Sequence, residues 1–466
     1  MTVVAGVDSS TQSCKLLVCD ADTGTVLRHR QIPHPDGTEV PPAMWWEALR
    51  AACERMMREV EAIAVAGQQH GLVVLDEAGH PVRDALLWND TRSAESAAQL
   101  VGELGGPQAW ADAVGSVPLA AHTVAKLRWF ADHEPELADR TAKVLLPHDY
   151  LTWLLRGGER DLETTTDRGD ASGTGYWSPA TGDYRMDLLS LAFRGRTPQL
   201  PRVLAPAEAA GHTPGGRLVA AGTGDNAAAA LGLGIGEGDV VVSLGTSGTV
   251  FSRAAVPSAD PSGAVNGFAD ATGGFLPLVC TLNAARVLDA TAALLGTDVS
   301  GLEVLAAQSP PGADGLILLP YLTGERTPNL PHASGSLHGL RPHTMRPHHL
   351  ARAAIEGMLC NIADALDRLP TVPRRILLIG GAARSRLIAH TAATIFNATV
   401  TVPEPGEYVA RGAARQAAWA LRGGPRPPQW PSPAATEFPP PAARFGTAIR
   451  QRYGEVRDMY YPPAAS

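Results

Sequence analysis

Twice in this chain an apolar stretch runs directly into a turn of small and hydroxyl-bearing residues. Val3 to Val7 leads into Gly6-Val7-Asp8-Ser9-Ser10-Thr11-Gln12-Ser13-Cys14-Lys15, and Asp239 to Leu244 leads into Ser243-Leu244-Gly245-Thr246-Ser247-Gly248-Thr249. A strand that ends this way exposes backbone N–H groups and side-chain hydroxyls in a concave turn, which suits the oxygens of a phosphate. Two such turns in two halves of one chain suggest a grip on a nucleoside triphosphate, and they demand an α/β architecture in which each half supplies a strand end.

The residues around the first turn extend this reading. Val3 to Val7, Lys15 to Asp20 and Thr25 to His29 read as short strands, with Asp22-Thr23-Gly24 a turn between the last two. Trp45, Trp46, Leu49, Cys53, Met56, Met57 and Val60 fall near the spacing of one helical face, and Ala62 to Ala66 supplies a buried strand. Strand-strand-strand-helix-strand is the start of a ribonuclease-H-like, actin-type domain. In the second half, Asp239 to Leu244 and Thr249 to Arg253 read as strands, Leu350 to Leu369 as a helix, and Arg375 to Ile379 as an apolar strand. That strand runs into Gly380-Gly381-Ala382-Ala383-Arg384-Ser385; Thr399 to Val402 is a last strand and Tyr408 to Leu421 an Ala-rich helix. The halves share an architecture without repeating a sequence.

At 466 residues the chain exceeds one ordinary core, so two large domains are expected, with a cleft between them the first place to look for a site. The expected division is residues 1–221, 222–430 and a tail of 431–466. Gly423 to Pro441 reads as a Pro-rich linker, and about Arg444 to Met459 as a last helix that packs back.

A net charge of −8 offers no general attraction to nucleic acid or anionic membrane, so a phosphorylated ligand must be held by local geometry. The cysteines, Cys14, Cys19, Cys53, Cys280 and Cys360, are odd in number and free of CxxC spacing, which points to unpaired thiols in a reducing cytoplasm. The N-terminus shows no leader pattern and no stretch has the length of a membrane span. A homodimer is left open.

Asp8, at a strand end before the first turn, is placed to hold Mg²⁺, which prefers oxygen ligands; the competing reading is a turn-former. Thr11, Gln12, Ser13 and Lys15 would then face phosphate. In Gly222-Thr223-Gly224-Asp225-Asn226, ahead of an alanine run, Asp225 reads either as a helix cap or as a general base approached closely across glycines. A carboxylate of ordinary low pKa suffices for a base that takes a hydroxyl proton late in phosphoryl transfer. Gly67-Gln68-Gln69-His70-Gly71 sets three polar side chains at a strand end, for a polyol or for structure. Trp88-Asn89-Asp90-Thr91-Arg92 and Thr166 to Thr174 are similar polar runs, and Gly380-Gly381 permits either close nucleotide approach or tight packing. His332, His338, His343, His348 and His349 lie in a Pro- and Gly-rich stretch and read as a surface loop. No G-x-x-x-x-G-K-[ST] or H-R-D sequence occurs.

Taken in order, Gly6-Val7-Asp8 to Lys15, Gly67-Gln68-Gln69-His70-Gly71, Leu87-Trp88-Asn89-Asp90, Gly224-Asp225-Asn226, Ser243 to Gly248, Gly324-Glu325-Arg326-Thr327-Pro328 and Gly380-Gly381-Ala382 resemble the motifs of the FGGY carbohydrate kinases, most closely the xylulokinase branch. The likeness runs from about Val3 to Leu421. Thr123 to Trp129, and Gly335 through Gly339-Leu340 to Ile355-Glu356, resemble two longer family signatures. The resemblance implies two actin-like domains flanking a deep cleft, and ATP- and Mg²⁺-dependent phosphorylation of a ketose, D-xylulose at its 5-hydroxyl being the first choice. It makes Asp225 the catalytic base and Asp8 the metal-associated acid. Gln69 and His70 become the sugar contacts, with Asn226 beside them; Thr11 and Thr246 become phosphate-loop positions, and Gly381, Ala382 and Ser385 the nucleotide-side turn. The sequence departs from the family pattern at Ser10, where many members carry Gly, at Gln69, where many bacterial xylulokinases carry Met, and at Ala121. Kinases of ribulose, sedoheptulose or glycerol, a non-catalytic sugar sensor and a polymerising actin-like ATPase are the alternatives.

Overall fold

The computed structural model describes residues 1–442 and 445–462. The chain forms two compact units. One comprises Met1–Ile235, Ala254–Leu276 and Gly406–Ser432; the other comprises Gly236–Arg253, Pro277–Pro405 and the described residues of Pro433–Ser466. Among the described residues no helix is long and apolar enough to cross a membrane.

The sheet of the first unit runs in the order Ala209–His212, Leu218–Ala220, Val60–Gly67, Val3–Ser9, Ser13–Asp20, Val26–Pro33, with Thr223–Gly224 also paired to Val60–Gly67. Val3–Ser9 is antiparallel to Ser13–Asp20 but parallel to Val60–Gly67. Its residues are all buried, as befits a strand covered on both faces. On one face Trp45 and Leu49 of the helix Ala43–Cys53 pack into a core with Val7, Leu16 and Val65. The other face is covered by two alanine-rich helices, Asp225–Leu233 and Tyr408–Arg422.

These two helices lie so close that only glycine fits at their crossing. A Cβ on Gly412 would sit 1.8 Å from the carbonyl oxygen of Ala228, one on Gly232 would sit 2.0 Å from that of Tyr408, and one on Gly6 would sit 2.0 Å from that of Ala410. The sequence reading assigned both helices to the domain beginning at residue 222. Their contacts place them with the first unit, because a bare Ala/Gly face can only pack against an equally bare partner, and Gly6 supplies one 400 residues earlier in the chain.

In the second unit the strand order is Phe275–Thr281, Gly248–Ser252, Asp239–Leu244, Arg375–Ile379, Val400–Pro403, Ala435–Phe438. Asp239–Leu244 and Arg375–Ile379 are parallel neighbours and match the sequence expectation residue for residue. The expected linker is not one. Ala435–Phe438 pairs antiparallel with Val400–Pro403, Phe438 is buried, and the buried Trp430 donates from Nε1 to the Ala21 carbonyl at 3.1 Å. Two large apolar side chains anchor this stretch; proline content alone had suggested solvation. The last helix, Phe445–Tyr460, buries Tyr453, whose hydroxyl lies 3.2 Å from that of Tyr321, and pairs Arg457 with Asp364 at 2.5 Å. Arg444, where the sequence reading starts this helix, is outside the described residues.

Candidate active site

In open α/β sheets, ligands gather at the carboxyl ends of parallel strands. In the first unit, three strands end together. The register pairs Asp8 with Ala66 and Ser9 with Gly67, and Thr223 with Ala66 and Gly224 with Gly67. One edge of the sheet therefore collects Asp8, the Gln68-Gln69-His70 turn and Asp225 from segments far apart in sequence.

Asp8 is the penultimate residue of its strand and only 2% exposed. Burial pushes its pKa up to about 6, against the Ser10 hydroxyl, which donates to it, and the Lys15 ammonium at 3.8 Å. Lys15 is itself committed to Glu407 at 2.6 Å. Burial opposes the charge on Lys15, but Glu407 and Asp8 outweigh it and hold the ammonium above its ordinary pKa.

Asp225 is the first residue of its helix, with Gly224 at the cap position, so its side chain does not cap. Instead its Oδ1 accepts the Asn226 backbone N–H at 2.7 Å and the Asn226 side-chain N–H at 2.8 Å. It keeps part of its surface open. Even so, crowding by protein, with the negative charge of Asp8 next, pushes its pKa up to about 7 rather than leaving it at an ordinary low value.

Gln69 is buried, and its Oε1 accepts from Asn226 Nδ2 at 3.1 Å. His70 adopts a left-handed backbone, φ 67°, that turns its ring to Nδ1···O contact with Gly173 at 2.7 Å, beside His122 and Phe268. Gln68 is buried with neither amide atom bonded among the described residues. Thr11 accepts from the indole N–H of Trp88 at 2.8 Å, tying the first turn to the Trp88-Asn89-Asp90 run. Gln12 is exposed at the turn, whereas Ser13 belongs to the next strand and its hydroxyl accepts from Gln31.

The second unit repeats the arrangement. Ser243 pairs with Ile379, so the turn carrying Thr246 and the turn carrying Gly381 and Ala382 leave adjacent parallel strands side by side. Gly380 has φ 95°, and a Cβ there would lie 2.5 Å from the Leu244 carbonyl oxygen; around Gly381 the space is open. Ser385 caps the helix Arg386–Phe396 by accepting from the Ile388 N–H at 3.2 Å.

Sequence reasoning missed a charged network behind this edge. His148 is fully buried, with Nδ1 2.7 Å from Asp170 Oδ2 and 3.2 Å from Asp149 Oδ1. Burial opposes its charge, yet Asp149, Asp170 and Asp167 outweigh it and raise its pKa to about 10. Asp167 in turn accepts from the Thr223 hydroxyl at 2.8 Å, bracing the strand that leads to Asp225. Asp167 and Asp170 stood out in the polar run after Thr166, but nothing local marks His148. Glu325 of the Gly324-Glu325-Arg326 motif is structural: it is buried and accepts from Leu282 and Arg326 backbone N–H groups and from Asn283 and Asn361. The histidine stretch also differs from a plain loop. His348 and His349 open the helix Pro347–Leu366, and buried His349 contacts Asp314 Oδ2 at 2.9 Å.

The donor set at Asp8 fits a hard cation. It offers oxygen from a buried carboxylate whose charge burial disfavours, and the charge of Asp8 in turn disfavours ionisation of Asp225, costs that a divalent ion would offset. His148 with its acids already forms a hydrogen-bonded ion pair.

The model of the FGGY family of carbohydrate kinases, N-terminal domain, matches residues 3–238, and that of the C-terminal domain matches residues 240–421. The xylulose kinase of Streptomyces coelicolor is 49% identical over 442 residues, covering 90% of this chain and 88% of that protein; that of Streptomyces rubiginosus is 48% identical over 443 residues with the same coverage. The crystal structure of xylulose kinase from Bifidobacterium adolescentis superposes with a TM-score of 0.90 at 43% identity, covering 98% of this chain and 99% of that one. The motifs in their order, the two α/β units and both family matches agree: the chain belongs to the FGGY family of carbohydrate kinases.

Proposed function

We propose that this kinase transfers the γ-phosphoryl group of ATP to the 5-hydroxyl of D-xylulose, giving D-xylulose 5-phosphate and ADP. The observation that carries the proposal is the pair Asp8 and Asp225 at the carboxyl ends of parallel strands, with Asp225 poised near neutrality. The substrate assignment draws on the relatives named xylulose kinase at 48% and 49% identity.

In this reading Gln69 and His70 bind the sugar with Asn226 beside them. Thr11, Gln12, Ser13, Lys15 and Thr246 serve the phosphates, and Gly381, Ala382 and Ser385 the nucleoside side. Asp225 orients the acceptor hydroxyl and takes its proton as the oxygen–phosphorus bond forms and the bond to ADP breaks. Asp8 would hold Mg²⁺, which supplies neutralisation of charge on the phosphate oxygens. Lys15, drawn between Asp8 and Glu407, adds positive charge at the same strand end. A cytoplasmic location suits the five free cysteines.

A panel of D-xylulose, D-ribulose, sedoheptulose and glycerol with excess MgATP tests the substrate. The expected result is a kcat/KM for D-xylulose at least about tenfold above the others. Stronger turnover of ribulose or glycerol would replace the substrate while keeping the chemistry.

A further inference from the structure

Gln69 stands among the sugar contacts, yet its carbonyl is turned toward the catalytic helix. The side chain is 6% exposed, and Oε1 accepts one hydrogen of the Asn226 amide at 3.1 Å. The other hydrogen of that amide goes to Asp225 Oδ1 at 2.8 Å, and the Asn226 backbone N–H reaches the same oxygen at 2.7 Å. Gly224 makes this approach possible, since a Cβ there would lie 2.8 Å from both Cγ and Nε2 of Gln69.

An asparagine amide can present either its NH₂ or its carbonyl to a neighbour, and the two faces have opposite polarity. Beside an ionised carboxylate only the NH₂ orientation is attractive. The acceptor-only Asp225 carboxylate selects that orientation, and Gln69, turned with Oε1 toward the same NH₂, holds it as a second acceptor, because a rotated Asn226 amide would set its own oxygen against Gln69 Oε1 and Asp225 Oδ1 together. Both donors of Asn226 then converge on Oδ1, which leaves Oδ2 as the oxygen that receives a proton.

We propose that Gln69 is a positioning residue for the base: through Asn226 it fixes the Asp225 carboxylate so that Oδ1 is bound and Oδ2 faces the reaction. The proposal rests on Asp225 being the base. A residue that only binds sugar contributes to KM; one that also positions the base contributes to kcat. Its hydrogen bond acts only through Asn226, so its effect must vanish when the Asn226 amide is gone.

The test is a double-mutant cycle of Gln69→Met and Asn226→Ala, with Asp225→Asn as reference, each assayed for kcat and KM with D-xylulose and saturating MgATP. Methionine matches the length of glutamine without its amide acceptor, and Asn226 lies on a partly exposed first helical turn where alanine is a good helix former. Gln69→Met is expected to lower kcat about tenfold, Asn226→Ala at least as much, and the double variant no more than about twofold below Asn226→Ala alone. A rise in sugar KM at unchanged kcat in Gln69→Met, or losses that multiply in the double variant, would overturn the proposal. Wild-type turnover by Asp225→Asn would instead remove the base assignment itself, so the two failures are distinguishable.

Discussion

At the scale of single residues, the candidate site holds two acids that the fold keeps uncomfortable. The carboxyls of Asp8 and Asp225 are raised to about 6 and about 7, by burial first and, for Asp225, by Asp8 next. A carboxyl whose folded pKa exceeds its unfolded one binds its proton more tightly when folded. Its penalty is absent below the ordinary carboxylate range and complete above the raised value. Asp225→Asn is therefore expected to raise the melting temperature of the ligand-free enzyme by a few degrees at pH 8, with the gain shrinking toward pH 4; a lower melting temperature at pH 8 would contradict the electrostatic account. Since a base must be ionised to work, kcat/KM of the wild type, which reports the free enzyme, should fall on the acid side with a midpoint near pH 7, read from a pH–rate profile. Asp8 and Asp225 were legible in the sequence because each sits where a strand end meets small residues. The Gln69–Asn226 bond and the His148–Asp170 pair were not, since their partners come from distant segments and only the folded register brings them together.

At the scale of elements, glycines serve two unlike purposes. Gly412 lies where the helices Asp225–Leu233 and Tyr408–Arg422 touch backbone to backbone, and any side chain there drives into the Ala228 carbonyl. Gly412→Val should separate the helices and bring the protein to low solubility or a melting temperature lowered by many degrees, as in other severe overpacking. Gly381 has open space around it and an ordinary helical backbone, φ −60°. Gly381→Ala should leave the melting temperature within about a degree while raising KM for ATP severalfold; an unchanged KM would move the nucleotide away from that turn. Strands built on apolar runs, Val240 to Val242 in Asp239–Leu244 and Ile376 to Ile379 in Arg375–Ile379, could be read directly. Ala435–Phe438 could not, because a short edge strand inside a Pro-rich stretch takes its identity from its partner Val400–Pro403.

At the scale of the whole molecule, each unit places its polar turns at the carboxyl ends of parallel strands. The first unit carries both acids and the Gln69-His70 turn, while the second carries Thr246 and Gly381. The two-part architecture was legible from the repeated strand-and-turn pattern. The partition of helices was not, because Tyr408–Arg422 returns to the first unit after the chain has built most of the second. Phosphoryl transfer as proposed depends above all on Asp225 being the group that accepts the sugar's proton. The most direct measurement is the rate of ADP formation by Asp225→Asn with saturating MgATP and D-xylulose, alongside ATP affinity by calorimetry. Turnover lower by about 10²–10⁴-fold with ATP affinity within about threefold is predicted; turnover near that of the wild type would contradict it.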